Sequence, residues 1–138
     1  SLPTVEGAVN DILAQIVDFS VVFSMNGKDI DTHIVYDDDR VWSLELSSGM
    51  ERFISSLAIR IGLMNVSNLP QSNFLAIDEG WGTMDSENLN SVSQLFQYLK
   101  TQFQFTFVVS HIETMRDFVD TLLEIKKVDG SSSVRFSR

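Results

Sequence analysis

Two short apolar runs separated by a helical pattern constrain the fold more than any other feature. Phe74-Leu75-Ala76-Ile77 contains no polar residue, the composition of a strand buried on both faces. Leu89, Val92, Leu95, Phe96 and Leu99 then recur at helical spacing within residues 86–100. Phe105 to Val109 is a second buried strand. Strand, helix and strand in this order predict a parallel crossover unit, because parallel neighbours need a long return connection.

The front of the chain has a different period. Val5, Ala8, Val9, Ile12 and Ile16 predict a helix over residues 4–17, with Thr4 as N-cap after Pro3. Val17 to Ser24 reads as a strand, and Asn26-Gly27 as a hairpin turn. A second strand, Asp31 to Tyr36, and a third, Arg40 to Leu46, flank the acidic turn Asp37-Asp38-Asp39. These make an antiparallel meander. Met50, Phe53, Ile54, Leu57, Ala58 and Ile61 lie on one face of a following helix, and residues 65–73 form a polar connector. At the other end, residues 112–119 predict a short helix and Leu122 to Val128 a strand. A polar turn, Asp129 to Ser133, leads to a last short strand. The fold class is α/β: parallel core strands flanked by helices, plus an N-terminal antiparallel meander. The 138 residues set one domain, 1–138.

Composition removes several function classes. The net charge is −9, and among ten Lys and Arg only Lys126-Lys127 are adjacent. Phosphate neutralisation needs clustered basic residues, so direct DNA binding is not expected of this surface. Without cysteine there is no disulfide framework and no thiolate metal site. No apolar run approaches the roughly 20 residues of a membrane span, and no signal-peptide pattern appears. The start Ser1-Leu2-Pro3, without methionine, reads as a fragment or an engineered start.

Four groups of residues carry chemistry. Asp78-Glu79 follow the first buried strand, at the end where open α/β sheets bind ligands. Adjacent strand residues face opposite ways. The natural division is therefore one carboxylate on a magnesium ion and one beside an attacking water. Standing alone, the pair reads more readily as two solvated acids opening a turn. Ser47-Ser48-Gly49 begin a helix, where backbone N–H groups and a hydroxyl can receive an anion. Ser48 with Glu51 is also a capping box, which accounts for Ser48 but not for Ser47. His111 ends the second buried strand, beside the acids if the two strands are neighbours. In Gly80-Trp81-Gly82-Thr83-Met84-Asp85, the glycines permit a tight turn, and Asp85 can cap the next helix. His33 reads as structural, and two histidines so placed give no metal-site spacing.

The order of these groups resembles the signature motif, Walker B, D-loop and H-loop of ABC-type ATPases. Asp78-Glu79-Gly80-Trp81-Gly82-Thr83-Met84-Asp85 resembles more narrowly the SbcC-type double-strand-break-repair ATPases, including phage recombination-endonuclease subunits. The resemblance covers roughly residues 5–128. It implies the C-terminal half of an ABC-type head that hydrolyses ATP with Mg²⁺. Asp78 would hold the metal, Glu79 would activate the attacking water, and His111 would contact the γ-phosphate. Ser47, Ser48 and Gly49 would form the signature that meets ATP on the opposite subunit, and Asp85 would lie across the dimer interface. The family carries Gln or Glu where Met50 stands, so no signature side chain is expected there.

A phosphate-cradling loop reads Gly-x-x-x-x-Gly-Lys-Ser/Thr. Here Asp29 follows Gly27-Lys28, and Val22 stands where the first Gly belongs. The resemblance places that loop on an N-terminal Walker A lobe, joined to this one through a coiled coil. The isolated lobe is then expected to be inactive and to expose apolar faces meant for its partner. The implied partners are the Walker A lobe, a second copy in an ATP-dependent homodimer, a metallophosphatase-type nuclease, and DNA through the assembled complex. No membrane is involved. The implied location is the cytoplasm of a bacterium or phage-infected host, or the nucleus in a eukaryote. Two other readings are a head lobe of another SMC-like chromosome-maintenance ATPase and a non-catalytic ABC-like binding module.

Overall fold

Helix α1 (Leu2–Leu13) starts earlier than its apolar period. Ser1 is the N-cap and Pro3 falls in the first turn, where a missing N–H costs nothing. Thr4 lies inside the helix, its hydroxyl 2.9 Å from that of Ser1. The helix also stops short of the predicted Val17, because residues 14–16 form a turn. The computed structural model describes residues 1–37, 39–68, 70, 73–78, 86–110 and 113–137, with the backbone alone for 86–88, 113–115 and 137.

Strands β1 (Phe19–Asn26), β2 (Asp29–Tyr36) and β3 (Val41–Ser43) form the antiparallel meander, in the order β1-β2-β3. The β1–β2 loop is Gly27-Lys28, one residue later than the Asn-Gly signal places it. Gly27 has φ +65, a region that glycine enters without steric cost. Helix α1 covers the edge of β1 with side chains. The Asn10 amide accepts from Val21 N at 2.8 Å and donates to Val21 O at 3.0 Å, and Glu6 Oε2 accepts from Phe23 N at 2.9 Å. These bonds satisfy backbone groups that an edge strand otherwise leaves open.

The third strand ends well before the predicted Leu46. The Ser43 hydroxyl accepts from Glu45 N, and Leu44–Leu46 curl into a 3₁₀ turn. Helix α2 (Gly49–Val66) follows and packs on α1 at Gly62.

Strand β4 (Phe74–Asp78), helix α3 (Ser86–Gln102) and strand β5 (Phe105–Val109) form the expected parallel unit. Its register runs from Phe74 opposite Phe105 to Asp78 opposite Val109. Burial on both faces is not found. Leu75 and Ile77 join the core, whereas Phe74, Phe105, Phe107 and Val109 are exposed. The strands are apolar as expected, but the core formed by this chain's helices reaches only one face of the pair. Phe74 stacks on Phe105 on the open face, with ring centroids 5.5 Å apart.

A 3₁₀ helix, Glu113–Phe118, replaces the predicted short α-helix. Strands β6 (Leu122–Val128) and β7 (Ser131–Ser137) then form a hairpin through Asp129-Gly130. Both loop residues have positive φ, +50 and +80, as a type I′ turn requires. The last strand therefore starts earlier than predicted. On one face of this hairpin Ile125, Val134 and Phe136 are exposed.

One core cluster joins α1 (Val9, Ile12, Leu13), the meander (Phe19, Val21, Ile34), α2 (Ile54, Leu57, Ile61), β4 and α3 (Val92, Leu95, Leu99). Among the described residues no helix is long and apolar enough to cross a membrane.

Candidate functional site

The chain reaches Ser47 from the 3₁₀ turn in extended conformation. Leu46, just before it, is 82% exposed, while Ser47 is only 9% exposed. The Ser47 hydroxyl donates to Leu44 O at 2.5 Å. A local bond thus occupies Ser47, the residue that capping alone leaves without a role. Ser48 is the N-cap, and both halves of its box form. Glu51 N donates to Ser48 Oγ at 3.2 Å, and Ser48 N donates to Glu51 Oε1 at 2.9 Å. Gly49 and Met50 open the helix, where first-turn N–H groups have no partner within the helix. The Met50 side chain is buried in the core and is not presented at the helix start.

The other oxygen of Glu51 reaches across to the meander. Tyr36 Oη donates to Glu51 Oε2 at 2.6 Å. The Tyr36 ring packs against Phe19 at 5.5 Å and Trp42 at 5.2 Å, and the Arg40 guanidinium lies 4.8 Å from its centroid. Burial, then the hydrogen bond to the Glu51 carboxylate and its charge, hold the phenol well above the ordinary tyrosine range. Sequence reasoning missed this cluster. Its signal is present in the alternation Thr32, Ile34, Tyr36, which places Tyr36 on the core face of β2.

Asp78 stands exposed at the carboxyl end of β4, directly after buried Ile77. It faces Val109 across the parallel pair, so the chain leaves β4 and β5 at the same end of the sheet. Glu79, Asp85 and His111 lie outside the described residues, as do Gly80 to Met84 between them. Arg60 ties α2 to β4, its guanidinium donating to Ala76 O at 3.2 Å. Arg60 is eleven residues beyond Gly49, about 16 Å along the helix at the usual rise.

Gly27-Lys28 belongs to a tight antiparallel hairpin and not to a strand-to-helix loop, so no phosphate cradle forms there. Among the described residues no group of three or more His, Asp or Glu is placed to hold a metal. Asp78 alone offers an exposed carboxylate at the strand end, and Mg²⁺ is held through as few as one or two carboxylates with water and phosphate as its other ligands. His33 lines a shallow groove with Asp31, Ser43 and Glu45 on the meander.

The architecture is that of SMC head domains. A structure from work on ATP-driven dimerisation and DNA-stimulated activation of SMC ATPases superposes with a TM-score of 0.76. It covers 99% of this chain and 85% of that one at 17% identity. The SMC head domain from Thermotoga maritima superposes with a TM-score of 0.62, covering 98% of this chain and 48% of that one at 21% identity. These likenesses establish the fold. In sequence, the chain is 35% identical over an alignment of 149 residues to the uncharacterised protein R555 of Acanthamoeba polyphaga mimivirus, covering 96% of the chain. It is distantly similar, 29% identical over 123 residues and 86% of its length, to the SbcC component of the SbcCD nuclease of Staphylococcus aureus. The chain spans only 11% and 12% of the lengths of these two relatives. No protein-family model matches it.

Proposed function

We propose that this chain is the C-terminal lobe of an SbcC-type ATPase head, which closes around ATP as a dimer and governs a nuclease acting at DNA double-strand breaks. The parallel register that sets Asp78 beside Val109 carries the reading. The segments leading to Glu79 and to His111 thereby leave neighbouring strands at the ligand-binding end of the sheet. The 29% identity to the SbcC component of SbcCD supports the assignment.

In this reading Asp78 would hold Mg²⁺, which would supply positive charge to offset that of the nucleotide's phosphates. Glu79 orients the attacking water and accepts its proton. His111 donates to the γ-phosphate. Ser47 and the Gly49 N–H meet the γ-phosphate held by the opposite subunit, and Asp85 packs across the dimer interface. Phosphoryl transfer is largely positioning and charge stabilisation, which strand ends and a helix start supply without a covalent step. The nucleotide's main grip comes from a Walker A lobe, and the exposed apolar face of β4 and β5 suits such a partner. DNA is met through the assembled complex, since the net charge of −9 disfavours direct contact.

The test is Glu79→Gln in the assembled head. Removing the base while keeping shape traps the ATP-bound dimer, so hydrolysis falls by on the order of 100-fold or more while ATP-driven association persists. Equal hydrolysis by variant and wild type refutes the role given to Glu79.

A further inference from the structure

Strand register and side-chain alternation together define the open face of the parallel pair. Leu75 and Ile77 point into the core, so Phe74, Ala76 and Asp78 point the other way. Their partners across the register are Phe105, Phe107 and Val109, all exposed as well. The face is therefore five apolar residues and one carboxylate, the carboxylate at the end of the strands where ligands bind. Among the described residues no ion pair engages Asp78, and the Arg60 guanidinium beside the strand is bonded to Ala76 O.

We infer that the Walker A lobe closes this face most tightly when a cation accompanies it: the Asp78 carboxylate couples docking of the two lobes to Mg²⁺ and nucleotide. The inference rests on the head reading above and adds a regulation to it. The five apolar residues favour any apolar cover. A cover brought over Asp78 also takes its carboxylate out of water, and an unpaired buried charge offsets part of that gain. A wholly apolar partner surface therefore fits the Phe74 end of the face and not the Asp78 end. The occupant that suits both ends is apolar along the strands and cationic at their carboxyl end, as is a lobe carrying a nucleotide with Mg²⁺.

The experiment uses the assembled two-lobe head, its lobes as separate chains, and follows their dissociation on dilution. Each head is measured in chelator alone and in Mg²⁺ with a non-hydrolysable ATP analogue. For wild type, the Kd between the lobes is expected to fall by on the order of tenfold on adding Mg²⁺ and the analogue. Asp78→Asn keeps the shape and removes the charge. In chelator it is expected to hold the lobes on the order of tenfold tighter than wild type, and Mg²⁺ with the analogue then adds less than it adds to wild type. An aspartate that only holds metal leaves the affinity in chelator unchanged, and that result overturns the inference. So does a wild-type Kd that Mg²⁺ and the analogue do not move. Phe107→Ser is expected to weaken the lobes in both conditions; if it weakens them in neither, this face is not the docking surface and the inference is overturned. If wild-type lobes associate under neither condition, the head reading fails and the inference falls with it.

Discussion

Ser55 is fully buried in α2, and its hydroxyl has no hydrogen-bond partner among the described residues. A buried unpaired polar group costs about 1–3 kcal/mol. Ser55→Ala removes that group and places the best helix former in the helix. We expect a gain of about 1 kcal/mol, read as a higher urea midpoint with an unchanged slope. A lower midpoint contradicts this account of the site. The tyrosines give a second residue-scale prediction. Both Tyr36 and Tyr98 are held above the ordinary range, in each case chiefly by burial. A raised phenol pKa stabilises the folded state fully below about pH 10, and the contribution is lost as pH climbs through the folded value. In a spectrophotometric titration at about pH 10 the folded protein shows less phenolate than the chain in denaturant, which is about half ionised. Half-ionised tyrosine in the folded protein contradicts the burial assigned to both rings. Ser48 and Asp78 were legible in sequence because a cap and a strand end are local patterns. The Tyr36–Glu51 bond was not, since its partners are 15 residues apart on different elements.

At the scale of elements, the contact between α1 and α2 depends on one missing side chain. A Cβ at Gly62 meets Val9 Cγ2 at 2.9 Å and Val9 N at 3.3 Å. The first neighbour can rotate away, but the backbone nitrogen cannot, so the helices must separate. Gly62→Ala gains up to about 1 kcal/mol of helix propensity and loses more to overpacking, about 1–3 kcal/mol. The expected net result is a lower urea midpoint; an unchanged or higher one shows that the helices part freely. The parallel unit and the β1–β2 hairpin were readable because apolar runs and a Gly turn encode them directly. Element ends were misread where side chains bond to backbone. Ser43 cuts β3 short by accepting from Glu45 N. The open face of β4 and β5 was unreadable in the strands themselves, because an apolar run records the need for cover and not its source.

At the scale of the whole molecule, exposed apolar residues gather on two of the described faces, among others. One carries Phe74, Phe105, Phe107 and Val109, and the other Ile125, Val134 and Phe136. Exposed apolar surface of this kind suits an interaction site, as the proposed head lobe requires. The mixed α/β class, the antiparallel meander and the parallel pair were legible in sequence, and the proposed motifs are an order of residues in it. The roles of Glu79, Asp85 and His111 rest on that order, since all three lie outside the described residues. The direct test of the central claim is ATP hydrolysis by this chain, with and without a Walker A lobe, in Mg²⁺ and at several protein concentrations. The account predicts activity in the mixture alone, rising more than linearly with concentration because Ser47 and Gly49 act on the opposite subunit's nucleotide. Tight ATP binding and turnover by the isolated chain, or no activity in any combination, contradicts it.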